Sequence, residues 1–253
     1  MKNILLKIEY DGTDYQGWQR QRSREHTSAS KRGSTVQEAI EGVLEKILQD
    51  TIHIIASGRT DAGGHAHAQY ANFKTATTIP LTRLKAALNS LLPADIRVTT
   101  VKYVEKYFHA RYAAKSKVYR YTILNRTTGT AFYHKYIFQV RNKLDVAAMK
   151  QAAAILRGTH DFKSFQAALK KPKETVRSVK RISVKKDNSR IIIDIEANGF
   201  LYNMVRIIVG TLIEVGLGKR PPAWVRQVLL AEDRRKAGPT APAKGLCLLK
   251  VRY

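Results

Sequence analysis

The hydrophobic positions of the first hundred residues follow two alternating periods. Ile4-Leu5-Leu6-Lys7-Ile8-Glu9-Tyr10 is β-rich and stops at Asp11-Gly12, which predicts a strand running into a turn. Val36, Ala39, Ile40, Val43, Leu44 and Ile47 then recur at helical spacing. They sit behind a capping-box pattern, either Ser34 with Gln37 or Thr35 with Glu38, so an amphipathic helix is predicted. Strands over 52–56 and 67–74 flank a glycine-punctuated turn, a helix over 82–92 is stopped by Pro93, and 96–104 alternates as a strand. The order β-α-β-β-α-β implies an antiparallel or mixed sheet with helices on one face, an α+β arrangement.

The second half reads in the same way. Strands are predicted over 118–124 and 133–140, a helix over 145–156, and a hairpin of 175–185 with 190–197 around Asp187-Asn188. A helix over 200–215, a short helix from Pro221-Pro222 to Ala231 and a last strand over 245–251 follow, with 238–242 as loop. Two α+β halves are expected, 1–105 and 106–253. The apolar stretch 200–217 contains Arg206 and Glu214 and falls short of the roughly 20 residues a bilayer span needs, so it reads as a buried helix. The N-terminal apolar run is too short and interrupted for a signal-peptide core. Residues 23–33 are polar without periodicity and read as a basic loop carrying Arg24, Lys31 and Arg32.

Charge narrows the function. With 253 residues, 44% hydrophobic and 26% charged, the chain has an ordinary globular balance, yet 45 Lys+Arg against 20 Asp+Glu give a net charge of +25. That excess exceeds what solubility needs and, with neither a membrane span nor a basic amphipathic anchor in view, favours nucleic acid as partner. A lone cysteine, Cys247, excludes an intrachain disulfide and points to a reducing, cytoplasmic compartment; in its apolar strand it reads as a core thiol.

Three segments carry candidate chemistry. Ser57-Gly58-Arg59-Thr60-Asp61-Ala62-Gly63-Gly64-His65-Ala66 presents one carboxylate beside one guanidinium on a glycine-rich turn, which suits nucleophilic or general-base work and equally describes a β-turn with a surface ion pair. Arg206 lies in the middle of an apolar helix, where a permanently charged guanidinium needs a carboxylate (Asp61 is one candidate), a phosphate or carbonyls, or else snorkels to the surface. Residues 102–126 hold seven Lys/Arg against Glu105 alone, interleaved with Tyr103, Tyr107, Phe108, Tyr112, Tyr119 and Tyr121. Cations neutralise phosphates while rings stack on bases, favouring RNA or single strands, with about half of the rings expected in the core. His53, His65 and His67 lie near Asp61 without metal-ligand spacing, so no metal is expected. A non-catalytic RNA-binding protein and a metal-dependent nuclease using Asp61 with His65 or His67 are the competing classes. Arg59 beside Asp61 argues against the nuclease, because it competes with a divalent cation.

In chain order, Glu9-Tyr10-Asp11-Gly12 with Gly17-Trp18-Gln19-Arg20-Gln21, Gly58-Arg59-Thr60-Asp61-Ala62-Gly63, Phe108-His109-Ala110-Arg111, Tyr119-Arg120-Tyr121, His160-Asp161-Phe162 with Ser164-Phe165, Met204-Val205-Arg206 with Val209-Gly210, and Lys244-Gly245-Leu246 resemble the motifs of one family, the tRNA pseudouridine synthases of the TruA type. The resemblance implies isomerisation of uridine to pseudouridine in the anticodon stem-loop, at tRNA positions 38 to 40, without metal or organic cofactor. It implies two ferredoxin-like halves around a continuous, mostly antiparallel sheet with a cleft between them, and a homodimer that binds tRNA. By the same resemblance Asp61 is the catalytic aspartate, Arg206 its ion-pair partner, and Arg59 the side chain that helps flip the nucleotide. Tyr119 stacks on the uracil with Leu246 also in the substrate pocket, and Arg20, Arg111, Lys115 and Lys117 contact RNA. Two departures stand out: Gly64 occupies a position where the family usually has valine, and the basic loop 23–33 is longer than usual.

Overall fold

The computed structural model describes residues 1–20, 34–168 and 174–253, so the basic loop 23–33 lies outside the described residues. The chain divides into two units, one of residues 1–115 with 248–253 and one of residues 116–247.

The first unit follows the order β1 (Lys2–Tyr10), α1 (Val36–Leu48), β2 (Ile55–Ala56), β3 (His65–Thr75), α2 (Leu81–Leu91), β4 (Ile96–Val104). β1 is central, antiparallel to β3 on one side and β4 on the other, so Leu6 faces Ala71 and Val101 across the two ladders. Its Ile4, Leu5, Leu6 and Ile8 are all buried, as a strand covered on both faces requires. Of the two capping patterns, Thr35 with Glu38 starts α1. The Thr35 side chain accepts from Glu38 N at 3.3 Å and Glu38 Oε2 accepts from Thr35 N at 2.8 Å, a device worth about 1 kcal/mol. Val36, Ile40, Val43 and Leu44 form its buried face, and α1 packs against α2.

The strand predicted over 52–56 shrinks to two residues for a specific reason. Ile54 N donates to Glu41 Oε1 on α1 at 3.0 Å, so this backbone pairs with a helix side chain, and only Ile55 and Ala56 join β3. α2 runs one residue earlier than predicted at each end, and Leu92 is already extended because Pro93 follows.

The second unit contains β5 (Ser116–Asn125), β6 (Phe138–Val140), α3 (Val146–Ile155), β7 (Gly158–Asp161), β8 (Val176–Asp187), β9 (Arg190–Ala197), α4 (Met204–Gly216) and α5 (Trp224–Ala231). β10 (Leu246–Arg252) starts here and ends in the first unit. Strands β5, β9, β8 and β7 are antiparallel neighbours in that order, with β6 parallel to β5. The β8–β9 hairpin turns at Asn188, in the left-handed region at φ 52°. α3 packs on α4, whose apolar side chains are almost all buried.

Two predictions are corrected in this unit. Only 138–140 of the strand expected over 133–140 forms, because the preceding chain folds on itself: Tyr136 N donates to Tyr133 O, and Gln139 Nε2 to Arg126 O and Thr127 O. The helix expected from 200 starts at Met204, because Asn203 takes a left-handed backbone at φ 60° that helical geometry does not admit. β7 was not anticipated, being only four residues long with no apolar alternation. Among the described residues no helix is long and apolar enough to cross a membrane.

Candidate active site

Asp61 sits on the connection from β2 to β3, and that connection is held from several sides by backbone groups. Thr60 O accepts from Trp18 N at 3.1 Å, Gly63 N donates to Tyr15 O at 3.3 Å, and Gly64 N closes a turn onto Asp61 O at 3.0 Å. Thr60 Oγ1 meets the Tyr10 hydroxyl at 2.8 Å. The root of the loop is buried: Ser57 N donates to Tyr70 O, its hydroxyl donates to Gln69 Oε1, and Gln69 Nε2 donates to Gly58 O at 2.9 Å. Tyr253 braces the same root. Its phenol meets Ser57 and donates to Ala110 O at 3.1 Å, and burial raises its pKa. These bonds locate the Asp61 backbone, while its side chain remains half-buried between protein and solvent.

Gly17 makes that arrangement possible. It lies at φ +83°, and a Cβ there would come within 2.7 Å of Thr60 O. Trp18, 1% exposed, packs its ring against Tyr10 at 5.8 Å between centroids. Arg59 is exposed and its Nε donates to Gln19 Oε1 at 2.9 Å, so the guanidinium beside Asp61 is tied to the 17–20 segment. Arg20, the next residue along, has its guanidinium at 3.9 Å from Glu38 Oε1 and 3.8 Å from Glu41 Oε2.

Glu41 is an unexpected contributor. It is 2% exposed, and its Oε1 accepts from Gln37 Nε2 at 2.8 Å as well as from Ile54 N. Gln37 in turn donates its N–H to Trp18 O at 3.1 Å and accepts from Arg20 N at 3.3 Å. One buried carboxylate thus joins α1, the 17–20 segment and the chain entering the Asp61 loop. Its other oxygen, Oε2, is buried with no hydrogen bond among the described residues. Sequence reasoning placed position 41 simply on a helix; the signal that could have found it is a carboxylate beside the apolar stripe.

In the second unit, Tyr119 and Tyr121 share one face of β5, and both are buried. Tyr119 meets Phe200 edge-on at 5.0 Å between centroids. Tyr121 donates to Pro242 O at 2.7 Å, and its phenol pKa is raised by burial and partly offset by the Arg206 charge. On the opposite face Arg120 grips Asp194 of β9 through two bonds of 2.8 Å, which raises the guanidinium pKa and pins the pairing of the two strands.

Arg206 occupies the first turn of α4 rather than its middle, because the helix starts at Met204. It has found a carbonyl, one of the partners its charge calls for. Nε donates to Ala241 O at 2.7 Å and Nη1 to Asn203 Oδ1 at 3.0 Å, while Ala241 N donates back to Arg206 O. The 238–242 segment can approach only because position 210 is glycine: a Cβ there would fall 1.7 Å from Pro239 O. Leu246, the first residue of β10, is 4% exposed.

Arg111 and Lys115 are exposed in the first unit, and Lys117 is half-buried on β5 opposite Ala197. His53 and His67 are exposed; His65 is buried, with Nδ1 at 3.1 Å from both Gly12 N and Asp11 Oδ1. Among the described residues no group of three His, Cys, Asp or Glu is placed to hold a metal ion. Cys247 is half-buried on the face of β10 opposite Leu246 and Leu248, not in the core as its apolar neighbours suggested.

An α+β fold with a carboxylate on a glycine-built loop and a tyrosine strand, in a strongly basic chain, is the outline of an RNA-modifying enzyme. The family model described as tRNA pseudouridine synthase matches residues 7–113 and 152–253. The chain is 46% identical to tRNA pseudouridine synthase A 2 of Clostridium perfringens and 47% identical to tRNA pseudouridine synthase A of a Thermoanaerobacter species, over the full length of both partners in each case. Against tRNA pseudouridine synthase A of Brevibacillus brevis the identity is 46% over the same extent. The chain belongs to the tRNA pseudouridine synthase family and is, by that membership, an isomerase acting on tRNA.

Proposed function

We propose that the enzyme converts uridine to pseudouridine in the anticodon stem-loop of tRNA, with Asp61 as the catalytic carboxylate. The observation that carries this reading is the Asp61 loop. Its backbone is fixed at Thr60, Gly63 and Gly64 while Asp61 as a residue is half-buried, partly open to solvent as a group that is to meet a substrate must be.

The reaction breaks the C1′–N1 bond and forms C1′–C5. The C5 proton leaves, N1 gains one, and nothing is oxidised or imported, so the chemistry calls for no cofactor. Asp61 attacks C1′, attacks C6 of the uracil, or removes the ribose 2′ proton; the three routes share the carboxylate. A uridine inside a stem must first be extruded at a cost of a few kcal/mol. In this reading Arg59, held by Gln19 beside Asp61, helps open the stem, and Tyr119 offsets part of the cost by stacking on the uracil beside Leu246. In the same reading Arg206 is the ion-pair partner of Asp61, and water is kept from C1′. Arg20, Arg111, Lys115 and Lys117 meet RNA phosphates.

The same reading takes the halves 1–105 and 106–253 as two ferredoxin-like domains on a continuous sheet, with the catalytic cleft between them and a cytoplasmic homodimer as the working form. The net charge of +25 supports a polyanionic substrate. The test uses tRNA tritiated at uracil C5. Asp61→Asn is expected to keep fold and RNA affinity while tritium release disappears. Release at the parent rate in that variant, or chain cleavage by the parent enzyme, would reject the proposal.

A further inference from the structure

The chain over 237–245 has only a single short turn of helix, at Ala243–Gly245, and is held in place by side chains of its neighbours. Gly238 N donates to Thr211 Oγ1 of α4 at 3.0 Å, and Arg234 Nη2 donates to Thr240 Oγ1 at 3.1 Å. Arg206 Nε then takes Ala241 O, and the Tyr121 hydroxyl takes Pro242 O, each at 2.7 Å. Two consecutive carbonyls are therefore gripped from two different elements, one from α4 and one from β5.

The core does not account for the Tyr121 hydroxyl. Tyr121 stands opposite Ile193 of β9 and is 0% exposed, a place where phenylalanine would fill nearly the same volume. Burial raises the phenol pKa, which keeps the hydroxyl protonated and so a donor to Pro242 O. The ring is also the floor of the turn that follows. Gly245 lies so close over it that a Cβ there would stand 2.7 Å from the ring carbons.

The turn in its turn supports two side chains. Ala241 O and Asn203 Oδ1 together bind two nitrogens of Arg206, which fixes the plane of the guanidinium. Leu246 follows Gly245 directly, opens β10 and is buried. A displacement of 241–245 moves the acceptor of Arg206 at one end and Leu246 at the other.

We propose that Tyr121 is a positioning residue for the isomerisation. Through Pro242 O and its contact with Gly245 it sets the height of the 241–245 turn, and with it the orientation of Arg206 and the place of Leu246. Tyr121 acts through these side chains and not on the uridine itself. This rests on the reading that puts Arg206 and Leu246 at the target uridine, and adds the residue that holds both.

The test follows tritium release from tRNA labelled at uracil C5, with Tyr121→Phe, which keeps the ring and removes only the hydroxyl. kcat is expected to fall about tenfold, since misplacing a group at the reacting centre by about 1 Å costs up to roughly 100-fold. KM should stay within about twofold, because phosphate contacts elsewhere carry tRNA binding. The melting midpoint should drop by only about 3 °C. Val179→Ala, buried on β8 with β9 between it and β5, supplies the control: its midpoint is expected to fall at least as far with kcat unchanged. Gly245→Ala lifts the turn off the ring with the hydroxyl still present, and is expected to lower kcat as Tyr121→Phe does; it reads the same geometry should the phenylalanine variant not fold. Parent kcat in either folded variant overturns the proposal. So does a rise in KM alone, or a loss of kcat in Val179→Ala that matches Tyr121→Phe, because activity would then simply follow stability. Absent tritium release by the parent enzyme would instead remove the pseudouridine reading, and this inference with it.

Discussion

The Asp61 loop and the Arg206 turn both position a charged side chain, and they do so by opposite means. Around Asp61 the supports are polar and numerous: backbone bonds from Trp18, Tyr15 and Gly64, the Tyr10 hydroxyl, and the Gln37–Glu41 pair behind the 17–20 segment. Around Arg206 the support is a buried apolar helix, against which one stretch of chain passes closely enough to offer Ala241 O. A loop without an apolar face of its own needs many weak anchors, each worth about 1 kcal/mol. A residue on a packed helix inherits its position from the core and needs only a local acceptor.

The largest effect is expected where this contrast is sharpest. Gly210→Ala gains about 1 kcal/mol of helix propensity but drives a methyl to 1.7 Å from Pro239 O, so a net loss of about 3 kcal/mol is expected in denaturant melts. A variant as stable as the parent would mean that the 238–241 segment is not needed against α4. Gly17→Ala meets the same problem on the loop, with a left-handed φ of +83° and Thr60 O at 2.7 Å. About 2 kcal/mol of stability should go, and kcat should fall at least tenfold with KM little changed; loss of stability alone would separate the 17–20 segment from catalysis.

Glu41→Ala tests the polar scaffold more gently. It leaves Ile54 N and Gln37 Nε2 without their acceptor, and about 1.5 kcal/mol is the expected loss in thermal melting. An unaltered melt would show that water replaces the carboxylate. Gly64→Ala is the smallest. Its φ is ordinary, and a Cβ would stand 3.2 Å from Asp61 O and 3.6 Å from Thr60 Cβ, so a shift of a few tenths of an ångström accommodates it. Stability within about 0.5 kcal/mol and kcat within about twofold of the parent are expected. A large loss would mean that the glycine itself aims Asp61.

Much of this was readable before any coordinates. The β-α-β-β-α-β order of the first unit, β4 over 96–104, and a capping box at 34–38, of whose two candidate pairs Thr35 with Glu38 forms, all depend on neighbours within a few residues. So does the turn at Asn188. Asp61 and Arg59 were visible because a carboxylate, a guanidinium and three glycines lie within seven residues. Of the misplaced boundaries, those at 52–56 and at 200–203 have tertiary and backbone causes that apolar periodicity does not register: Glu41 takes the Ile54 N–H, and Asn203 is left-handed.

Local pattern therefore determined the elements, the charge and the chemical inventory, because propensity, capping and hydrophobic period act over one or two turns of chain. Tertiary structure decided which groups serve which role. It put Tyr103, Tyr107 and Tyr112 into solvent and Tyr119 and Tyr121 into the core, gave Arg206 a carbonyl 35 residues away, and made Glu41 a hub between helix and loop. Burial and hydrogen bonding between distant residues depend on how the elements pack, and a side chain's partner is settled only when that packing brings the second group within 3 Å.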